Sequence, residues 1–297
     1  MNSMLAGFLG AVLVVTAAPL VAGFIKKVKA LLQNRRGFPV YQPYLDLDKL
    51  LHKDSVVSPT TSYVFAAAPY IYFAAAFTAA GLSCLTSLGV TADFFLVVYV
   101  LALGRFFLAV ASLDAGSTFG GMGGSREMFI SVLVEPALLL ALLTLALPAG
   151  TTGLAAMADE AVQSSLTVPY VMAAAAFFIV LVAETGRVPV DNPDTHLELT
   201  MVHEGMVLEY SGRELALIHW ASMMKQFTLL VLFGRLFIPW APYDAGVAAV
   251  LWMAVKIGFG AVLLAIFETS TNKMRLFKLP VLLSVSGILS LLALIAQ

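Results

Sequence analysis

Long runs of apolar residues, separated by shorter polar connections, repeat along the whole chain. A run of about 20 apolar residues, wound as a helix, crosses the roughly 30 Å hydrocarbon layer of a membrane. Hydrophobic residues make up 60 % of the 297 residues and charged residues only 12 %, which excludes an ordinary soluble globule. The pattern predicts an all-α integral membrane protein with a single domain, 1–297. Its eight predicted transmembrane helices cover residues 4–25, 61–82, 93–113, 127–147, 167–187, 213–238, 245–267 and 277–296.

Lysine and arginine fall in alternate connections, and this asymmetry predicts the orientation of the chain. The connection 26–60 carries seven of them, 114–126 carries one and 268–276 carries two, while 188–212, in the same set, carries none apart from the flanking Arg187 and Arg213. The other set carries none: 83–92, 148–166 and 239–244. The positive-inside rule then places the basic connections in the cytoplasm and both termini on the outer side. Because lysines follow the first span and no basic residue precedes it, we expect a retained helix rather than a cleaved signal peptide.

The first cytoplasmic connection contains the pattern of a short amphipathic helix. Leu45, Leu47, Leu50 and Leu51 alternate with charged side chains, which predicts a helix lying along the membrane surface. Just before it stand Arg35 and Arg36, in the run Asn-Arg-Arg-Gly-Phe-Pro. Two interpretations of these arginines are open. They are side chains that snorkel from a helix end, or they form part of an interface.

Several ionisable residues fall inside the predicted spans. Arg105 lies near the middle of the third span, and Glu135 lies in the fourth, just before Pro136. A charge at mid-bilayer costs from a few to more than ten kcal/mol unless it is paired or hydrated, so such residues mark a pathway by default. Structural ion pairing, for example of Arg105 with Glu135, is the alternative. Four further residues raise the same question: Lys225, Arg235, Lys256 and Glu268.

Acidic residues are concentrated in the long connection between the fifth and sixth spans. Only Arg187 and Arg213 oppose the seven acids of residues 184–214. An apolar protein that keeps a carboxylate-rich connection reserves it for protons, cations or a basic partner surface. The seven acids are Glu184, Asp191, Asp194, Glu198, Glu204, Glu209 and Glu214.

This acidic connection also predicts local structure. Glu184 and Arg187 are spaced i,i+3 and are expected to pair at the end of the fifth span. Proline at position 189 ends that helix, and residues 191–193 predict a turn. The run Thr-His-Leu-Glu at 195–198 fits a capping box, so a new helix is expected to begin near His196 and to end before Ser211. Glu198 therefore has a structural explanation beside a functional one.

Histidine and cysteine offer little metal chemistry in this sequence. His196 and His203 are seven residues apart and would share one face of the expected helix, but they lack the H-E-x-x-H spacing of a zinc site. Proton relay, partner contact or solvation explains them better. Cys84 is the only cysteine, so no disulfide or thiolate-bound cluster forms within the chain. The sequence also lacks phosphate-binding glycine loops, a nucleophile elbow and a basic domain for nucleic acid.

Four motifs together resemble the subunit 1 family of respiratory complex I. They are Asn-Arg-Arg-Gly at 34–37, Gly-Ser-Arg-Glu at 124–127 with Glu135, Glu-x-x-Arg-x-Pro-x-Asp at 184–191, and Glu-Tyr-Ser-Gly at 209–212. Within that family the chain is most similar to the membrane subunits of energy-converting NiFe hydrogenases of the formate hydrogenlyase and hydrogenase-4 type. The runs at 113–117 and 134–136 look like this hydrogenase branch.

The resemblance implies a membrane anchor and coupling subunit that binds no cofactor itself. A NiFe centre and iron–sulfur clusters are then expected in partner subunits, which would include hydrogenase-type large and small subunits, an iron–sulfur protein and antiporter-like membrane subunits. The expected location is the prokaryotic cytoplasmic (inner) membrane. The complex would link redox chemistry in its peripheral arm to translocation of protons or Na⁺. The connections 26–60 and 187–212 would form the docking surface for that arm.

The resemblance also carries roles to matching positions. Glu135 matches a buried glutamate, Glu184, Arg187 and Asp191 match the start of the acidic loop, Asp194 matches a loop acid, and Glu209 with Tyr210 matches its end. No catalytic residue and no metal ligand are predicted. The full set expected on the proton path or in coupling is Glu135, Glu184, Asp191, Asp194, Glu198, Glu204, Glu209, Arg105, Lys225 and Lys256. The set expected at an interface is Arg35, Arg36, Arg126, Arg187 and Tyr210.

Two other functions compete with this one. The first is the quinone-site subunit of NADH:quinone oxidoreductase, but His196 stands where complex I has a further glutamate, and the interval from Glu198 to Glu209 is longer. The second is a stand-alone secondary transporter, which would carry binding groups on broken helices at mid-membrane, ideally in a repeat. No repeat is visible, and the acids are concentrated in a connection.

Overall fold

The computed structural model describes residues 2–85, 92–163, 167–192, 201–239 and 247–297, and its regular structure there is helical apart from one isolated bridge between Asp93 and Gly153. The helices are α1 (Asn2–Leu32), α2 (Gln42–Leu51), α3 (Tyr63–Leu85), α4 (Phe94–Asp114), α5 (Thr118–Ala149), α6 (Leu154–Gln163), α7 (Val168–Glu184), α8 (His203–Val207), α9 (Gly212–Leu236), α10 (Val247–Ser270) and α11 (Leu279–Ile295), the last preceded by a 3₁₀ turn, Leu276–Lys278.

The described helices are those of an integral membrane protein. Six stretches are long and apolar enough to cross a membrane: Tyr63–Ser83, Phe94–Asp114, Thr118–Ala149, Gly212–Leu236, Ala249–Ser270 and Leu276–Ile295. Helix α7 is apolar but has only 17 residues. The all-helical membrane class is therefore confirmed, whereas the count of eight spans stays a prediction.

Helix α5 begins nine residues earlier than the apolar pattern predicts. The Oγ of Ser117 caps it by accepting a hydrogen bond from the backbone N–H of Gly120, at 3.1 Å. The small-residue run that follows is helical because its missing side chains let neighbouring backbones come close. A Cβ on Gly123 would lie 2.8 Å from the carbonyl carbon of Gly205 in α8. Close packing therefore outweighs the low helix propensity of glycine.

Helix α9 lies at the centre of the bundle. It packs against α1, α2, α3, α7 and α10, while α11 packs against α5 and α7. From Met224 to Leu236 its residues are buried without exception. Helices in a membrane associate through close packing, because lipid supplies no hydrophobic drive between them. Any polar side chain on this part of α9 must therefore find its partners inside the protein.

The first connection folds against the end of the acidic connection. The Oγ of Ser211 accepts a hydrogen bond from the backbone N–H of Val56 at 2.7 Å and donates one to the Val56 carbonyl at 3.0 Å. Gly212 has φ +56, and a Cβ there would lie 2.7 Å from the carbonyl oxygen of Asp54. Helix α2 occupies the position of the amphipathic pattern, with Leu47 buried and Leu45 exposed.

The expected helix from His196 to residue 210 is wrong in its described part. Residues 193–200 lie outside the described residues, and with them Asp194, His196, Glu198 and the predicted capping box. Residues 201 and 202 are not helical, and α8 covers only His203–Val207. The reason is that the backbone N–H groups of Val202 and His203 donate to the Asp191 carboxylate.

Candidate functional site

A buried network of charged side chains joins four helices. The Nη1 of Arg105 (α4) donates to the Oε1 of Glu184 at 2.5 Å, and its Nη2 donates to Glu135 (α5). The Nζ of Lys225 (α9) lies 2.6 Å from the other Glu184 oxygen, Oε2. The side chains of Arg105, Glu184 and Lys225 are each less than a tenth exposed, and that of Glu135 is 33 % exposed. We call these four residues the central cluster.

The central cluster contains the ion pair of Arg105 with Glu135 that the sequence offered as an alternative. It extends this pair, because Arg105 bridges two carboxylates and Lys225 neutralises the second of them. A carboxylate held by two cations is stabilised in its charged form despite burial. Ion pairing is therefore observed, and the same four side chains belong to the set predicted for a proton path.

The expected pair of Glu184 with Arg187 is wrong. The i,i+3 rule holds only inside a helix, and α7 ends at Glu184. Gly186 then adopts φ +58, which turns the chain away from the helix axis. Arg187 points instead to Glu268, with 3.5 Å between Nη1 and Oε2, and donates from Nη2 to the Oε1 of Gln226 at 3.1 Å.

Glu268 is the centre of a second charged group. Its side chain is 1 % exposed and pairs with Lys29 of α1 at 2.8 Å as well as with Arg187. These contacts tie α1 and α10 to the segment that follows α7. Sequence reasoning noted Glu268 but did not single out Lys29, which it counted only as one of the basic residues that set orientation.

Asp191 holds the start of the acidic connection against the segment that begins α8. Its Oδ1 accepts from the backbone N–H of Asn192 and from the Nζ of Lys273, each at 2.8 Å. Its Oδ2 accepts from the N–H groups of Val202 and His203, each at 3.2 Å. Asp191 is only 3 % exposed. The side chain that was expected on a docking surface is therefore an internal anchor.

The residues expected at an interface divide into exposed and internal ones. Arg35 and Arg36 are exposed. Arg187 and Tyr210 are buried, and the hydroxyl of Tyr210 donates to the carbonyl of Phe65 at 2.8 Å. Arg126 donates from Nη1 to the carbonyl of Met201 at 3.0 Å and so holds the end of the acidic connection.

The remaining coupling residues are also divided. Glu209 is exposed, next to the buried Tyr210. Lys256 is buried in α10 and lies against Gly234 of α9. Glu204 is half-buried in α8 and lines a cavity that also reaches the central cluster.

This cavity has a volume of about 180 Å³ and a strongly polar lining. Nine of the sixteen lining residues in the described part of the chain are charged residues or histidines. Glu184 and Lys225 of the central cluster form part of the wall, together with Asp191 and Arg187. Sequence reasoning left four of the other lining residues, Lys26, Glu127, His203 and His219, out of the coupling set. His219 was detectable, since an ionisable residue inside a predicted span marks a functional position.

In the described ranges, no three His, Cys, Asp or Glu side chains are placed to hold a metal ion. The chemistry open to the central cluster is protonation of its carboxylates. A proton that reached Glu184 would cancel its charge and weaken its bonds to both Arg105 and Lys225. These cations belong to α4 and α9. Protonation of the one carboxylate would therefore weaken its ion pairs with both helices.

Comparison with known proteins gives consistent matches over most of the chain. The family model described as NADH dehydrogenase matches residues 5–297. Formate hydrogenlyase subunit 4 of Escherichia coli (strain K12) is 34 % identical over 285 residues, which covers 92 % of this chain and 92 % of the relative. Hydrogenase-4 component C of the same organism is 34 % identical over 236 residues, which covers 77 % and 73 %.

Two more distant matches extend the comparison. A subunit of the NADH-quinone oxidoreductase of Rickettsia prowazekii (strain Madrid E) is 28 % identical over 262 residues, covering 79 % of this chain and 74 % of the relative. Among solved structures, a chain of the membrane-bound sulfane sulfur reductase, an archaeal respiratory membrane complex, has a TM-score of 0.81 at 21 % identity. That likeness covers 100 % of this chain and 99 % of the other, and it shows a shared fold.

Proposed function

Because this chain belongs to the NADH dehydrogenase family, we propose that it is the membrane anchor and coupling subunit of a membrane-bound, NiFe-hydrogenase-like respiratory complex. It links redox chemistry in a peripheral arm to translocation of protons or Na⁺. The NiFe centre and iron–sulfur clusters belong to partner subunits of the large, small and iron–sulfur types. Antiporter-like membrane subunits take up the coupled ion movement.

The central cluster is the observation that carries this proposal. It sets four ionisable side chains in contact across α4, α5, α7 and α9, inside an otherwise apolar bundle. Breaking a buried ion pair leaves an uncompensated charge, so such a cluster has few arrangements of low energy. Glu135 is the member most accessible from outside, and a neighbouring membrane subunit is proposed to continue the path from there.

The cavity favours the hydrogenase type over a quinone-site subunit. Sites for small organic molecules are lined mostly by apolar and aromatic side chains with few polar groups. Of the described lining residues, most are charged or histidine, and Tyr72 is the sole residue of the Phe, Tyr and Trp class. The two relatives at 34 % identity are components of formate hydrogenlyase and hydrogenase-4, whereas the quinone oxidoreductase relative is 28 % identical.

Charge neutralisation tests the coupling role directly. Glu184→Gln and Glu135→Gln keep the shape and hydrogen bonding of each side chain but remove its titrating charge. In vesicles that contain the assembled complex, we expect ion translocation to fall at least tenfold while dye-linked hydrogenase activity of the partner persists. Asp159→Asn, an exposed acid on α6, is the matched control. Wild-type translocation in both glutamine variants would refute the coupling role.

The exposed part of the first connection is proposed to dock the peripheral arm. Arg35 and Arg36 are exposed, and the neighbouring Phe38 is 75 % exposed. A double reversal, Arg35→Glu with Arg36→Glu, should release the peripheral subunits at moderate salt. The exposed Arg275 provides the control reversal, Arg275→Glu. Purification of an intact complex from the double variant at wild-type yield would exclude this docking surface.

The proposed orientation places the acidic connection in the cytoplasm and both termini outside, in a prokaryotic inner membrane. Single cysteines at the exposed positions Thr151 and Glu209, in a Cys84→Ala background, distinguish the two faces. A membrane-impermeant maleimide applied to intact cells should label position 151 and not 209. The opposite labelling would invert the topology.

A further inference from the structure

Two histidines face the cavity beside the central cluster and belong to neither charged group. His203 is the first residue of α8, and His219 lies on α9, six residues before Lys225. Both line the cavity, together with the half-buried Glu204. The cavity therefore has a protonatable pair in its wall next to the buried carboxylate of Glu184.

The ring of His203 has an unmet hydrogen-bonding group. Its Nε2 is buried and has no hydrogen-bond partner among the described residues. Leaving a buried polar atom unsatisfied is unfavourable, and such atoms in native proteins are usually matched by water. The backbone N–H of the same residue donates to the Asp191 carboxylate, which holds the start of α8 beside the cavity. A cavity of about 180 Å³ has ample room for several water molecules.

Among the lining residues that the structure describes, the two imidazoles are the groups whose ordinary pKa lies near neutral pH. Carboxylates normally stay charged there, lysines and arginines stay protonated, and Glu184 is held by two cations as well. A path that exchanges protons with water at neutral pH needs a group that both binds and releases them readily. Histidine provides this group because one ring nitrogen binds a proton while the other releases one.

We propose that His203 and His219 form the proton-exchange port of the cavity, passing protons between cavity water and the central cluster. This inference rests on the proposed coupling function and names the residues that supply its proton. In the inward step, a hydronium ion gives its proton to a ring nitrogen and becomes water. Once the contacts of Glu184 with Arg105 and Lys225 are broken, the imidazolium releases a proton through water to that carboxylate, which leaves the imidazole neutral.

Ionisable groups from the surrounding elements, including Tyr72 on α3, set the balance of this port. Lys26 on α1, Glu127 on α5 and Glu204 on α8 line the same space. The segment that follows α7 contributes Arg187 and Asp191 to the wall. From α2, Asp46 also acts electrostatically on His219. Among the described lining residues, three cations (Lys26, Arg187 and Lys225) stand against four carboxylates (Glu127, Glu184, Asp191 and Glu204), so a proton on either imidazole is nearly balanced in charge.

The test uses the intact complex in vesicles, with translocation and dye-linked activity measured across pH 5 to 9. His203→Gln and His219→Gln should each lower translocation at least tenfold, with the double variant no better than the worse single one. A purely structural role would lower translocation equally at all pH values, whereas loss of the port should remove its pH dependence near neutrality. Ser222→Ala, which changes a non-titrating wall residue, should leave rate and pH profile unchanged.

Chemical rescue separates a relay from a structural role even if the glutamine variants assemble poorly. His203→Ala enlarges the cavity by one ring, and added imidazole should restore part of the translocation. Pyrazole, a ring of the same size that is not protonated near neutral pH, should not. Wild-type rates in both histidine variants would overturn the port, as would equal rescue by the two rings. If Glu184→Gln still abolishes translocation in that case, the proposed coupling function stands while the port alone fails.

Discussion

Lys225 and Glu184 form a buried ion pair, with 2.6 Å between the lysine Nζ and the glutamate Oε2. The two residues come from the middle of α9 and the last position of α7, 41 positions apart in the sequence. Their contact fixes the end of α7 against α9, whose residues are all buried from Met224 to Leu236. The same carboxylate also holds Arg105, so one side chain joins three helices.

The first prediction concerns this ion pair. Replacing Lys225 by Met should leave Glu184 under-compensated and destabilise the membrane domain by about 3–5 kcal/mol, the usual cost of removing one partner of a buried pair. Thermal unfolding of the purified complex in detergent measures the change. The double variant Lys225→Met with Glu184→Leu should recover part of the stability, because it removes both charges. If the double variant loses more free energy of unfolding than the two single variants lose when added together, the pair is not the source of the loss.

The second prediction concerns Asp191. Asp191→Ala removes the acceptor for two backbone N–H groups of the α8 segment and for Lys273. Each buried donor left unsatisfied costs about 1–3 kcal/mol, so the acidic connection should detach locally. Limited proteolysis should then cut within 188–212 at least tenfold faster than in the wild type. Glu209→Ala, at an exposed position of the same connection, is the control and should keep wild-type protection.

The third prediction concerns the contact of α5 with α8. Gly123→Ala would place a Cβ 2.8 Å from the backbone of Gly205 and 2.9 Å from the carbonyl oxygen of Val202. Because backbone atoms cannot move aside cheaply, we expect a loss of about 1–3 kcal/mol and reduced translocation. Gly121→Ala is the matched control, since its Cβ would meet only Leu113, at 3.8 Å. Alanine there should be neutral or slightly stabilising because it favours the helix. Equal effects at both positions would contradict the close contact.

The fourth prediction concerns Tyr210, whose ring stacks on that of Phe65 with centroids 4.0 Å apart. Its hydroxyl donates to the Phe65 carbonyl, so Tyr210→Phe should cost about 1 kcal/mol. Burial raises the pKa of Tyr210, and the charges of Asp114 and Glu214 add to the effect. Because the pKa is higher in the folded than in the unfolded protein, the neutral hydroxyl contributes to stability below its ordinary pKa of about 10. This contribution is lost as the pH rises above that value.

Unfolding curves at pH 8 to 11 check this sign. The stability difference between wild type and Tyr210→Phe should be constant up to about pH 9 and shrink or reverse above pH 10. Phe38→Leu, at an exposed aromatic position of the first connection, serves as the control without a buried hydroxyl. A difference that grows with pH would mean that the hydroxyl is ionised in the folded protein.

The sequence by itself determined the class, the family and most helix positions. Apolar runs of membrane length are detectable without tertiary information, because the bilayer requires each crossing segment to satisfy its own backbone. The predicted family is confirmed by the match over residues 5–297. Predicted and observed ends agree within a few residues for α4, α7 and α9. The start of α5 was missed by nine residues because a glycine run is read as a loop when its packing partner is unknown.

Only the tertiary structure decided which charged residues meet. Glu184 and Arg187 are close in sequence, yet a turn at Gly186 separates them and gives each a different partner. Partners such as Arg105 and Lys225 come from distant helices, and their pairing depends on how those helices face one another. The same applies to Asp191, which the sequence placed on an accessible loop and the fold buries as an anchor. Burial and pairing are properties of the assembled bundle. A low dielectric constant and a short distance between two charges arise only when the helices pack together.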